Sequence, residues 1–207
     1  MNPMPTTEPA LVSSLVLQLQ AEVASLRRDL TACRASEAAA LQAAHIDPLT
    51  GLPNRRLLDQ RLGGHLQRAG ADPVHLALLF IDLDGFKAVN DLHGHQTGDA
   101  VLQRVAARLR QTLRQDDLAC RIGGDEFVCV LFGVLGAWEL AAIADKLTAA
   151  ISQPCQLGAL SVSVRPSIGS AVFPRDGPNM PSLLAHADRA MYLSKPGREV
   201  PRSRALC

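Results

Sequence analysis

Two acidic clusters are the groups best equipped to do chemistry: Asp82-Leu83-Asp84, and Gly123-Gly124-Asp125-Glu126. Apolar runs of strand length flank both, His75–Ile81 before the first and Leu118–Ile122 and Phe127–Phe132 around the second. Two such runs joined by Gly-Gly read as a β-hairpin, because glycine tolerates the positive φ that a tight turn demands. Asp125 and Glu126 would then emerge together at a sheet edge, where adjacent like charges need solvent or a cation. Taken alone, the stretch Arg121–Phe127 reads equally well as a solvated acidic turn. A second acidic cluster at the same edge has a less bland explanation. Asp82, Asp84, Asp125 and Glu126 would supply hard oxygen donors, which suit Mg²⁺ or Mn²⁺, and Mg²⁺ usually accompanies phosphates. No Walker-type loop is present, so any nucleotide must be held differently.

The order of elements decides whether those clusters can meet. Val12, Val16, Leu19, Val23, Leu26, Leu30 and Cys33 alternate steps of four and three, continuing weakly to Glu37 and Ala40. That narrow seam predicts a helical stalk over 11–46, preceded by a disordered leader over 1–10. It favours a parallel coiled-coil dimer over a helix docked on its own domain. Asp47-Pro-Leu-Thr-Gly-Leu-Pro-Asn54 is a breaker cluster, with Asn54 placed to cap a helix Arg55–Arg68. Helices are predicted over Phe86–Leu92, Asp99–Arg114, Ala137–Ile151 and Ser182–Ser194, with a β-rich run at Leu160–Val172. After the stalk the order is β-α-β-β-α-β, an α/β (α+β) ferredoxin-like arrangement. Its helical crossover makes strands one and two run the same way, which brings Asp82 and the Gly123–Glu126 turn to one edge.

Composition removes several function classes. The 207 residues are 47% hydrophobic and 20% charged with a net charge of +1, giving no general attraction to nucleic acid or acidic membranes. No apolar run approaches the roughly 20 residues needed to span a bilayer. Leu11–Leu19 lacks the basic leader and cleavage site of a signal peptide. Five cysteines (Cys33, Cys120, Cys129, Cys155, Cys207) without metal-like spacing imply reduced thiols and a cytoplasmic location.

Residues 47–198 resemble a GGDEF domain of the diguanylate cyclase family. The resemblance rests on Asp47-Pro-Leu-Thr-Gly-Leu-Pro-Asn-Arg55, Asp82-Leu-Asp-Gly-Phe-Lys-Ala-Val-Asn-Asp91, Gly94-His-Gln-Thr-Gly-Asp99 and Gly123-Gly-Asp-Glu-Phe127. Ser167-Ile-Gly169 and Ala187-Asp-Arg-Ala-Met-Tyr192 complete it, and 199–207 is left as a tail. It implies a palm-type GGDEF fold whose activity joins two GTP into cyclic di-GMP with release of pyrophosphate. The active form would be a homodimer with one GTP per subunit, joined through the N-terminal helix.

The resemblance also implies site roles. Asp82, the Leu83 carbonyl, Asp125 and Glu126 would hold Mg²⁺ (or Mn²⁺), two ions per half-site. Asp125 is in addition a candidate general base. Lys87, with backbone N–H groups around Gly85 and Phe86, would meet phosphate charge at a helix N-terminus. Asn90 and Asp99 would read guanine, since an aspartate accepts from its N1 and N2 donors. Lys195 and Arg198 would contact phosphates, although Lys195-Pro196-Gly197-Arg198 is one residue shorter than the usual spacing. Arg114-Gln-Asp-Asp117 corresponds to the family's inhibitory site for cyclic di-GMP, roughly 15–20 Å from the metal edge across a short strand. No arginine lies between Arg121 and Arg165 to complete that site from a second domain. A protein regulator bound to the stalk is a further expectation. The competing function is a non-catalytic module that binds GTP or cyclic di-GMP and signals by contact. Degenerate relatives usually lose the central acids, whereas here they are intact. A phosphodiesterase would need a further domain, and a polymerase a basic binding surface.

Overall fold

The computed structural model describes residues 8–68, 76–134 and 136–195. The chain divides into two compact units, Met1–Ala44 and His45–Cys207. In the first, helix α1 spans Glu8–Ala43. It therefore starts inside the predicted leader. Residues 1–7 lie outside the described residues. The seam residues Val16, Leu19, Val23, Leu26 and Leu30 are 45–61% exposed, so α1 carries an apolar stripe with nothing of its own unit to cover it. Among the described residues no helix is long and apolar enough to cross a membrane.

The second unit is the α+β sandwich expected from the element order. It comprises α2 (Arg55–Arg68), β1 (Leu76–Asp84), α3 (Phe86–His93), α4 (His95–Thr112), β2 (Leu118–Gly123) and β3 (Glu126–Phe132). There follow α5 (Ala137–Ile151), β4 (Cys155–Leu157), β5 (Leu160–Val162), β6 (Arg165–Phe173) and α6 (Met180–Ser194). The main sheet has the order β2-β3-β1-β6, and each neighbouring pair is antiparallel. Strands β1 and β2 consequently run the same way and finish at the same edge.

Strand periodicity divides the interior in two. Ala77, Leu79, Ile81 and Leu83 of β1 join Phe127, Cys129 and Leu131 of β3 beneath α4 and α5. Leu78 and Phe80 join Val128 and Val130 beneath α2 and α6. By the same alternation Asp82, Asp84 and Glu126 fall on the α6 side. This parity is what places the site.

Several boundaries differ from the sequence reading. Helix α4 begins at His95 rather than Asp99, because only Gly94 (φ 81°) interrupts the chain and Gly98 is helical and buried. The β-rich run Leu160–Val172 is two strands, β5 and β6, and β5 pairs with β4, which precedes the run, in a separate hairpin turning at Gly158 (φ 64°). Helix α6 starts two residues early, on a capping box between Asn179 and Ser182. The cap at Asn54 is as expected, with the Leu57 amide donating to its Oδ1 at 3.2 Å.

Gly169, opposite Phe80 in β6, lets α6 lie directly on the sheet. A Cβ there would overlap the Ala187 carbonyl and the Met191 backbone, neither of which can rotate away. Gly169→Ala should therefore destabilise the domain by about 2–4 kcal/mol in urea denaturation. An unchanged midpoint would mean that α6 shifts freely on the sheet.

Candidate active site

The acidic edge is built by register. Asp82 faces Glu126 across the β1–β3 ladder and Ser167 across the β1–β6 ladder. Pairing with β3 stops there, so Leu83 lies one residue beyond that ladder. On the other side of the hairpin, Gly124 and Asp125 form a two-residue turn, with an irregular register between Arg121 and Gly123. The expected positive φ at Gly123 and Gly124 does not occur, since neither is among the left-handed glycines. Space matters at Gly123 instead, where a Cβ would stand 3.0 Å from Glu126 Oε2. The turn is held by Arg121, whose Nε and Nη2 donate to the Gly124 carbonyl at 3.0 and 2.8 Å. Its Nη1 donates to both Asp47 oxygens at 3.0 and 3.2 Å. Burial pushes Asp47 upward, but the Thr50 hydroxyl and amide and Arg121 outweigh it and leave the carboxyl below its ordinary value.

The carboxylates act on one another. Burial raises the pKa of Asp125, and the charge of Asp82 raises it further, against its own backbone N–H, Lys195 and Arg121. Burial likewise raises Glu126, followed by repulsion from Asp82, Asp125 and Asp188 and opposed by Lys195. Lys195 Nζ sits 2.7 Å from Asp82 Oδ1. Asp84 is occupied differently, accepting from the Ser167 hydroxyl through both oxygens at 2.8 and 2.9 Å. Asp84 thus points its charge into a hydrogen bond with β6. Among the described residues no three His, Cys, Asp or Glu side chains already form a metal cage. The donor set still fits a hard divalent cation, which needs only one or two carboxylates and takes its other ligands from water and phosphate.

The remaining expected residues gather around this edge or away from it. Gly85 is left-handed (φ 71°) and starts α3 without a side-chain cap, leaving the first-turn N–H groups after it uncapped by any side chain. Phe86 is buried as an anchor and Lys87 is exposed beside it. Asn90 lies over Gly98, where a Cβ would overlap its Oδ1, so the α3–α4 corner brings Asn90 close to the start of α4 near exposed Asp99. Arg198 lies outside the described residues. Arg114 and Asp117 lie at the far end of β2. Arg114 Nη2 meets Glu139 Oε1 at 3.2 Å, and Asp117 accepts from the Arg114 and Phe132 amides at 3.1 and 3.3 Å.

A profile of the GGDEF diguanylate cyclase domain matches residues 44–199. The chain belongs to the GGDEF diguanylate cyclase family. It is 44% identical over 185 residues to MucR of Pseudomonas aeruginosa, a bifunctional diguanylate cyclase and cyclic di-GMP phosphodiesterase, covering 89% of this chain and 26% of MucR. The diguanylate cyclase TpbB of the same species is 42% identical over 164 residues, covering 79% of this chain and 37% of TpbB. The solved GGDEF domain of TpbB has a TM-score of 0.70 at 41% identity, covering 73% of this chain and 88% of that one. The coiled coil and GGDEF domain of DgcB from Caulobacter crescentus, solved with c-di-GMP, has a TM-score of 0.75 at 26% identity. The match covers 85% of this chain and 93% of DgcB's. The chain thus spans about a quarter of MucR and somewhat over a third of TpbB.

Four partners escaped the sequence reading: Asp47 for Arg121, Ser167 for Asp84, Glu139 for Arg114, and Asp188 near Glu126. Asp47, Ser167 and Asp188 lie within the motifs that carry the resemblance, so their positions were visible without their roles.

Raised carboxyls make the site a stability cost at neutral pH. A group that binds its proton more tightly when folded loses stability as pH rises from its unfolded pKa to its folded one. Asp125→Asn and Glu126→Gln should therefore raise the thermal midpoint at pH 7 by about 1–3 °C, with the gain vanishing below about pH 3.5. Lower midpoints at pH 7 would show that these acids are net stabilising.

Proposed function

We propose that the domain condenses two GTP into cyclic di-GMP with release of two pyrophosphates, as a homodimer presenting one GTP per subunit. The observation that carries this reading is the convergence of Asp82, Asp125 and Glu126 on one side of the sheet edge, beside Lys195. In each half-reaction a ribose 3′-oxygen bonds to the α-phosphorus of the facing GTP. The bond from that phosphorus to the pyrophosphate oxygen breaks, and the hydroxyl proton leaves. Mg²⁺ (or Mn²⁺), two per half-site on Asp82, the Leu83 carbonyl, Asp125 and Glu126, would supply neutralisation of the triphosphate and the attacking oxygen.

The chain's own groups do the rest. Asp125 is also the candidate to receive the hydroxyl proton, secondary to its role as a metal ligand. Lys87 and the N–H groups around Gly85 and Phe86 hold phosphate oxygens at the start of α3. Asn90 and Asp99 select guanine. Lys195 and Arg198 bind phosphate. The exposed stripe of α1 pairs two copies, or receives a protein regulator, so that two half-sites face each other. Consumption of GTP places the domain in the cytoplasm.

Arg114 and Asp117 form the product-inhibition site in this reading. Both are engaged within the chain, Arg114 by Glu139, so the product must compete for the guanidinium. Arg114→Ala should raise the cyclic di-GMP needed to halve the rate about tenfold or more. Unchanged inhibition would reduce 114–117 to ordinary surface.

The reading itself is tested with purified chain, GTP and Mg²⁺, separating products by chromatography across a protein concentration series. Cyclic di-GMP should form with a rate steeper than first order in protein, and Asp125→Asn should lower it at least about 100-fold. Nucleotide binding without product at any concentration would instead favour the non-catalytic signalling module.

A further inference from the structure

Lys195 does more in this fold than wait for a phosphate. It follows α6 in an extended conformation (φ −62°, ψ 135°), as a residue preceding proline does. That exit turns its side chain onto Asp82 Oδ1 at 2.7 Å, with side-chain exposures of only 27% and 14%. Asp82 is held near the end of the central strand β1, paired with β3 on one side and β6 on the other. The ammonium therefore comes to a fixed carboxylate.

We propose that Lys195 is a placeholder for the metal: it holds Asp82 while no nucleotide is bound, so the divalent ion enters with the triphosphate and not alone. This rests on the metal reading of the site given above. A bare ion on Asp82 would share that carboxylate with the ammonium already on Oδ1, in a half-buried place where the repulsion between two cations is only partly screened. With the triphosphate present, its phosphate oxygens would accept the displaced ammonium and leave Asp82 free to hold the metal.

The test is Mn²⁺ binding to the full chain, read from the electron paramagnetic resonance of free Mn²⁺. It is measured with and without a GTP analogue carrying a methylene bridge between the α and β phosphates. Without nucleotide, Lys195→Met should bind Mn²⁺ about tenfold more tightly than the parent, and Lys195→Arg should retain the parent's weak binding. With the analogue the parent should bind Mn²⁺ tightly, and the advantage of Lys195→Met should disappear or reverse. Equal bare-metal affinity in the parent and Lys195→Met, or weaker binding in Lys195→Met, overturns the placeholder while leaving the metal site standing. Absence of Mn²⁺ binding in every protein, with the analogue present, overturns the metal site itself and the placeholder with it.

Discussion

A β-strand sends its side chains alternately to two faces, and β1 is paired on both sides, so its register cannot slip without inverting two cores at once. Leu79, Ile81 and Leu83 are committed to the α4–α5 side, and Leu78 and Phe80 to the α2–α6 side. The next residues of that second series are Asp82 and Asp84. The packing that stabilises the domain therefore also delivers two carboxylates to the end of α6. Because β3 pairs with β1 from Phe132 back to Glu126, a third carboxylate arrives opposite the first. The hairpin turn then adds Asp125. Nothing in the hydrophobic interior has to change for the charges to meet.

The same arrangement sets a conflict between stability and chemistry. Burial and mutual repulsion raise Asp125 and Glu126, which costs folding energy at neutral pH. The fold limits that cost with Lys195 on Asp82, and with Ser167, which takes Asp84 into a hydrogen bond on β6. Arg121 contributes on the other side by tying the Gly124 carbonyl to Asp47. Gly169 belongs to this scheme as well, since it lets α6 lie close enough to the sheet for Lys195 to arrive at the edge. In the proposed reading, the removable counter-charge holds this cluster for a cation and a triphosphate.

Much of this was legible in the sequence, for reasons that can be named. The breaker cluster and Asn54 mark α2, helical apolar spacing marks α4, apolar runs mark β1 and the β2–β3 hairpin, and the β-α-β-β-α-β order implies that β1 and β2 end at one edge. The β4–β5 hairpin was hidden because its three-residue strands are too short to show a period. Helix α4 overran its expected start because Gly98 is tolerated within a helix when a close neighbour, here Asn90, needs the space. The Gly-Gly pair signalled the turn correctly, but through the room left beside Glu126 and not through a left-handed backbone. Long-range polar partners were the least visible. Asp47 and Arg121 are separated by 74 residues, Asp84 and Ser167 by 83, and no local pattern links them. Glu139 on Arg114 has no local signal at all.

The most direct measurement is anomalous diffraction from crystals of the chain grown with Mn²⁺ and the methylene-bridged GTP analogue. The account predicts a manganese peak at coordination distance from Asp82 and Asp125, with Lys195 turned from Asp82 to a phosphate oxygen. A bound analogue with no metal at that edge, and Lys195 still on Asp82, would contradict it.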